Sequence, residues 1–493
     1  MTERKNTLHK QRARAKTFSL VRRVIVYTTM TLCVIAFSTV VVLLMLGYRF
    51  NRDNGTIQQG GLVQFISQPS GATVTVGNAT LANKTRSKIT LYPGQYEAKM
   101  ELKGYETWKK TVQIHPDTVL WLNSARLLPT NLQTTEVKQY PTLGSTLMRP
   151  GGSFIAVLPK ADEPTIELVK ITSDTPSYTT IKLPEGSFHD GTTHAFTLEK
   201  WSGNDSTLLL KHVYDDKTEW IAVRRDSPDK PRVVPAQETS TATKVIFDPR
   251  TDGKLLALYS DGVLQSIPTS PADENVKTLL DNVATFSTVS DQVLYTTLAQ
   301  DNTVSTGYFS LGGQKGRLLA SYSADEPVRI AGGRYFNDFY FATSVGSALT
   351  VRKTNTLPAS ESDEPIAFTT TTKQSLVEPP THLTFRAGGR LVVAQQPKAM
   401  QIYDMELSKL SQTPLVDTSQ AVVNELDWLD EFHYLNDSGD KARLYEFDGT
   451  NQRVIAAVAP GFSAGFSPTD KFFYSVKKTS EGYALQRTLL LVP

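Results

Sequence analysis

The chain of 493 residues contains a single cysteine, Cys33. That excludes a disulfide framework and any zinc site built on several thiolates. It also lacks a charge excess. Fifty-two Lys/Arg stand against 49 Asp/Glu, for a formal net charge of +3. Eight of those cations (Arg4, Lys5, Lys10, Arg12, Arg14, Lys16, Arg22 and Arg23) lie in residues 1–23, with Glu3 as the one acid there. The remainder holds 44 basic and 48 acidic residues, so its bulk has no surplus suited to a polyanion, and nucleic acid is not an expected partner. From about residue 132 onward no helical periodicity of useful length occurs. With 40% hydrophobic and 20% charged residues, the composition excludes a fully disordered chain. The length suggests about three domains.

What is present begins with residues 24–48, 25 residues without a charge. About 20 apolar residues suffice to cross the hydrocarbon core, and Thr and Ser can return their hydroxyls to the helix backbone. Signal-peptide cores run about 7–15 residues and end in a small-residue cleavage pattern, which Leu46-Gly47-Tyr48-Arg49-Phe50 does not offer. The expectation is one uncleaved transmembrane helix at 24–48. The basic tail 1–23 stays in the cytoplasm by the positive-inside rule, and the bulk is extracytoplasmic. Topology setting and contact with acidic lipid account for the tail.

Residues 49–60 read as a polar, glycine-ended linker. Short alternating runs separated by turn residues then predict a small all-β sandwich over 61–130. Pro69-Ser70-Gly71-Ala72 follows Ser67, Tyr92-Pro93-Gly94-Gln95-Tyr96 forms a turn, and Gly104-Tyr105 precedes a last strand pair. In that order and spacing, residues 61–128 resemble the PEGA domain, a small surface-associated β module of bacteria and archaea. Asn83-Lys84-Thr85-Arg86 replaces the usual Gly-x-Thr-Pro turn, and Ser70 replaces the glutamate of the name motif. The resemblance implies a surface location and a binding role, and it carries no catalytic residues.

Over 131–493 one unit recurs eight times at about 45 residues, the size of a four-stranded propeller blade. Each unit has a turn followed by a strongly apolar strand. The turns are Arg149-Pro150-Gly151-Gly152, Trp201-Ser202-Gly203-Asn204, Phe247-Asp248-Pro249-Arg250, Ser290-Asp291, Gly332-Gly333-Arg334, Arg386-Ala387-Gly388-Gly389, Trp428-Leu429-Asp430 and Phe466-Ser467-Pro468-Thr469-Asp470. The expected fold is therefore all-β: one transmembrane helix, a PEGA-type sandwich and a β-propeller of eight blades, or seven if the fourth or fifth unit is misread. The eighth unit has three strands, and the spare run at 132–140 is expected to complete it, because an open ring would leave an unpaired edge. The turns at 247–250 and 466–471 resemble the F-S-P-D-G-K repeat of TolB-like and WD40-like propellers.

A catalytic site is not found. Gly461-Phe462-Ser463-Ala464-Gly465 fits G-x-S-x-G, but a nucleophile elbow needs a strand–turn–helix setting, and a blade strand is expected next. His189, His194 and His212, with Asp190, Asp215 and Asp216, share one blade at spacings that match no metal-ligand pattern and read as polar loop residues. Asn436-Asp437-Ser438-Gly439-Asp440 lacks the downstream glutamate of a calcium loop and reads as a hairpin turn. No catalytic residue, metal or cofactor is implied. The expected function is that of a membrane-anchored, non-catalytic binding or scaffold protein of the bacterial cell envelope, facing a protein or cell-wall glycan. Tyr105, Trp108 and Trp201 are the candidate contact residues. The alternatives are a propeller hydrolase, signalled by carboxylates, His and Arg converging at one end of the channel, and an envelope assembly factor.

Overall fold

The computed structural model describes residues 3–45, 47–51, 55–234, 241–415, 425–438 and 440–491. It divides into two compact units, 1–127 and 128–493, a break a few residues before the expected boundary at 130/131.

In the first unit the helix Glu3–Met45 carries the basic tail and the apolar stretch as one element. Residues 22–45 are long and apolar enough to cross a membrane. Ile35, Phe37 and Leu44 are among the large apolar side chains left exposed there, and none of this stretch is buried inside the protein. Thr31 and Thr39 donate their hydroxyls to the Tyr27 and Ile35 carbonyls, both at 2.9 Å, so neither is an unsatisfied polar group. The segment 49–60, expected to be a linker, instead contains most of a two-stranded antiparallel pair, Tyr48–Asn51 with Thr56–Gln59. Backbone groups at this polar stretch pair with each other rather than with water.

Residues 61–126 form two facing sheets. Three strands (Ser87–Leu91, Gly61–Gln68, Val119–Arg126) make one, and four (Ala79–Thr80, Thr73–Val76, Gly94–Glu101, Trp108–Ile114) make the other. The alternation read from the sequence is realised along Gly61–Gln68 and Trp108–Ile114, where every second residue is buried. The core is built on Val63, Phe65, Val74, Met100 and Trp108.

The sandwich also explains its own motif. The Gly71 and Ala72 N–H groups both donate to Thr85 Oγ1 at 3.0 Å. Thr85 and Ser67 hydroxyls meet at 2.7 Å, and Ser67 Oγ donates to the Pro69 carbonyl at 2.7 Å. The threonine of the variant Asn83–Arg86 turn is thus a buried hub holding the Pro69–Ala72 turn. Thr85→Val keeps the shape but removes the acceptor. It is expected to cost about 2–3 kcal/mol, read as a lowered denaturation midpoint of this unit.

The second unit is an eight-bladed propeller. Blades 1 to 6 each have four antiparallel strands in chain order. Blade 7 has three (His433–Ser438, Lys441–Glu446, Arg453–Ala457), with the segment before them held by a Trp428–Tyr434 bridge. Blade 8 consists of Gly465–Phe466, Phe472–Thr479, Gly482–Leu489 and, at its outer edge, Gln133–Tyr140. The spare strand closes the ring as the sequence predicts. The first strands of neighbouring blades approach one another, as those of blades 1 and 2 and of blades 5 and 6 do, which marks them as the inner strands around the axis.

The recurring turns have a common chemistry. A polar side chain following an aromatic residue caps the turn. Ser202 Oγ accepts from the Ser206 and Thr207 amides, Ser467 Oγ accepts from the Phe472 amide, and Asp248 accepts from Arg250. Unit five departs from the expected reading. Gly332 and Gly333 lie inside the inner strand Val328–Tyr335, and the turn is at Phe336-Asn337. A Cβ on Gly333 would stand 2.5 Å from the Phe385 ring, so these glycines permit close blade contact rather than a turn.

Candidate functional site

Inner strands contribute one edge to the channel and both faces to their neighbouring blades, so few of their residues can be polar without facing the axis. A cavity of about 470 Å³ lies there. It is lined by Thr243 and Lys244 of blade 3, Thr285 and Phe286 of blade 4, Arg329 of blade 5, His382 of blade 6 and Glu425 ahead of blade 7. Register shifts place a bulge at 242–244 and another at 283–285. An extra residue in an inner strand re-aims its neighbours, and Thr243, Lys244, Ala284 and Thr285 all reach the cavity wall. Blade 2 repeats the shift at 198–200.

Lys244 Nζ donates to the Phe286 carbonyl at 2.7 Å and lies 5.0 Å from the centroid of the Phe286 ring. Crowding by protein pushes the lysine below its usual range, with Lys200 and Arg329 adding to the shift and Glu425 opposing it, while the side chain still reaches solvent. Arg329 Nε donates to the Pro380 carbonyl at 3.2 Å. Glu425 is engaged by Arg386 at 3.1 Å. His382 is also held below the ordinary imidazole range, first by burial and then by Arg329 and Lys244, against the pull of Glu425. It is therefore neutral at pH 7. This convergence of polar groups from blades 3 to 6 and the segment ahead of blade 7 is tertiary; its members lie between positions 243 and 425.

The second cluster is the histidine group of blade 2, which the sequence presents as loop residues. The correction is specific. His212 lies mid-strand and is fully buried, stacked on Phe196 at 4.2 Å between centroids. Its Nε2 meets His194 Nδ1 at 2.9 Å, and its Nδ1 meets Glu219 Oε1 at 2.7 Å. His189 Nδ1 reaches the other Glu219 oxygen at 2.5 Å. Asp215 behaves as the loop residue expected, accepting from Thr192. The missed signal is alternation: His212 sits between apolar positions on a blade strand whose partner strand carries Glu219 directly opposite. Among the described residues, no group of three or more His, Cys, Asp or Glu is placed to hold a metal.

Burial would raise the Glu219 pKa, but hydrogen bonds from His212 and His189 outweigh it and hold the carboxyl below its ordinary value of 4.5. With the folded pKa below the unfolded one, ionised Glu219 stabilises the blade above about pH 4.5, and this is lost as pH falls through the folded value. The wild-type melting temperature should fall more steeply below about pH 4.5 than that of Glu219→Gln. Parallel curves would show that the carboxylate does not contribute.

The expected contact residues divide. Trp108 and Trp201 are only 2% and 5% exposed and so offer no surface to a partner. Trp108 faces the sandwich core. Trp201 packs near Phe154 and donates to the Leu147 carbonyl, joining blades 1 and 2. Tyr105 is half-buried in its turn. Beyond the N-terminal helix, the exposed aromatic side chains among the described residues include Phe336, Trp121 and Tyr178, with Phe336 85% accessible at a positive φ of 52°. Ser463 accepts the Met148 amide at 3.0 Å, and a strand rather than a helix follows it. The segment 436–440 belongs to a hairpin, with Asn436 paired to Arg443 and Ser438 to Lys441; Gly439 lies outside the described residues.

Residues 61–128 match the PEGA domain family. No curated protein matches the chain. Similar solved structures include the Dos1 propeller, at 13% identity over 72% of this chain and 95% of that one, with a TM-score of 0.46. Sqt1 of Saccharomyces cerevisiae is 9% identical over 73% and 98%, with a TM-score of 0.44. The β-propeller domain of Myceliophteria thermophila Cps50 (Swd1) is 11% identical over 73% and 100%, with a TM-score of 0.39.

Proposed function

We propose that this chain, an apolar N-terminal helix followed by a PEGA domain and an eight-bladed propeller, is a single-pass protein of the bacterial cell envelope whose extracytoplasmic domains bind a protein or a cell-wall glycan. One observation carries the binding reading: the inner strands of the closed ring line a charged cavity, with residues from blades 3 to 6 and from the segment ahead of blade 7. Closure makes the wall rigid, and rigid walls position polar groups for recognition. A fold alone specifies no activity, so the reading rests on this site. The anchor is supported by the exposed apolar side chains of residues 24–45 and by the eight cations that precede them.

A hydrolase is the second reading, favoured by His382, Arg329 and Glu425 facing one cavity. Against it, glycoside hydrolysis commonly needs two carboxylates. Among the described residues Glu425 is the one carboxylate lining this cavity, and Arg386 already engages it.

The test uses the full chain. It should sediment with membranes and resist alkaline extraction, and protease added outside the membrane should remove everything after the helix. Solubilised in detergent, it should retain one saturable partner from an envelope extract or a wall-polysaccharide panel, and lose it when residues 128–493 are deleted. Recovery in the soluble fraction would defeat the anchor. Turnover of a glycan or peptide would replace the binding reading with the hydrolase.

A further inference from the structure

We infer that the axial cavity is a binding site for a small anionic ligand that also carries hydroxyl groups, with a carboxylate or phosphate on a polyol as the shared chemistry. The inference rests on the binding reading above and names the ligand class for the same site.

The cavity wall carries two cations, Lys244 and Arg329, against the carboxylate of Glu425. Among the described residues neither Lys244 nor Arg329 has an ion-pair partner. Lys200, on the inner strand of blade 2, adds a third cation whose field is felt at Lys244. Among the described residues Glu425 is the one carboxylate of the wall, and Arg386 reaches it at 3.1 Å. Lys244 is exposed on its strand and Arg329 is half-buried, so both stay open to an incoming anion, and Glu425 offsets only part of their charge. Arg329 is held at Nε by the Pro380 carbonyl, which orients its fork. A fork of this kind matches carboxylate or phosphate oxygens in a bidentate manner. The rest of the polar lining is neutral and suits hydroxyls: Thr243, Thr285 and the uncharged His382. A volume of about 470 Å³ falls within the range of small-ligand sites and accommodates one or two sugar-sized units.

Detergent-solubilised full-length protein should be titrated calorimetrically with glucuronate, glucose 6-phosphate and glucose. At least one of the two anions is expected to bind at least tenfold more tightly than glucose, and which one does so identifies the anionic group. Lys244→Met and Arg329→Met, each with an unchanged melting transition, should weaken that binding at least fivefold. Glu425→Gln should strengthen it, a gain that misfolding cannot mimic. Glucose binding as tightly as both anions, full affinity in the folded Met variants, or weaker binding by Glu425→Gln would each overturn the inference. Absence of anion binding while the envelope partner is still retained would overturn this inference alone. Loss of both would overturn the binding reading with it.

Discussion

Deleting Gln133–Tyr140 should open the propeller. This strand pairs antiparallel with Gly482–Leu489 along its length, from Gln133 opposite Leu489 to Tyr140 opposite Tyr483. It also clasps the next blade. Tyr140, 4% exposed, donates its hydroxyl to Glu167 of blade 1, and Lys138 pairs with the same carboxylate. Val137 packs in the cluster that joins blades 8 and 1, with Tyr140, Ile155, Val169 and Tyr474. Removing the strand exposes that cluster, leaves Glu167 without Tyr140 and Lys138, and uncovers the edge of Gly482–Leu489. The combined loss is roughly 5 kcal/mol or more, corresponding to a fall of roughly 6 °C or more in the propeller's melting temperature. The sandwich has its own core and should melt unchanged, an internal control within one calorimetric scan. Aggregation should rise with the newly unpaired edge. A propeller transition that stays in place would show that the ring is not held by this strand.

The second large effect is expected in blade 6. Arg390 and Asp404 are 6% and 2% exposed. The guanidinium meets both Asp404 oxygens, at 3.0 and 2.6 Å, and its remaining nitrogen reaches Glu406 at 2.8 Å. Asp404 Oδ1 also accepts from the Glu406 and Leu407 amides, so the pair fixes the turn after the third strand. Burial and the nearby Glu406 push the Tyr335 hydroxyl up to about 12, so it stays protonated throughout the neutral range. Arg390→Ala strands a buried carboxylate and should cost about 3–5 kcal/mol. Arg390→Met combined with Asp404→Asn removes both charges while the amide oxygen still serves the two backbone donors. The double variant should recover to within about 1–2 kcal/mol of wild type. Urea denaturation of the three proteins gives the coupling. A single variant as stable as the double would show that the ion pair carries no special dependence.

Much of the architecture was legible in the chain because it is written in local patterns. Alternation along Gly61–Gln68 and Trp108–Ile114 states which face is buried. The unpaired run at 132–140 and the missing fourth strand of the last unit point to one another, since both edges have backbone groups to satisfy. Seven of the eight turns fall where their polar caps and glycines indicate. The turn of unit five lies elsewhere because Gly332 and Gly333 serve close packing against Leu294 and Phe385. A glycine that makes room for a neighbouring blade is indistinguishable in sequence from one that turns the chain.

The site was not legible, for a related reason. Trp108 and Trp201 are large aromatics near turns, a pattern shared by surface anchors and core plugs. Only the facing sheet decides between them, and here it covers both. Lys244, Arg329, His382 and Glu425 meet because ring closure brings the inner edges of separate blades together, at sequence distances that no local period relates. His212 and Glu219 are seven residues apart, yet their contact depends on the register of two strands across a tight turn, where a slip of one residue would send them to opposite faces. The sequence by itself determined the apolar helix, the sandwich, the blade period and the closing strand, because each follows from short-range patterning and the need to pair backbone groups. The tertiary structure alone decided which aromatics are covered and which charges share a cavity, because burial and convergence depend on which blades become neighbours.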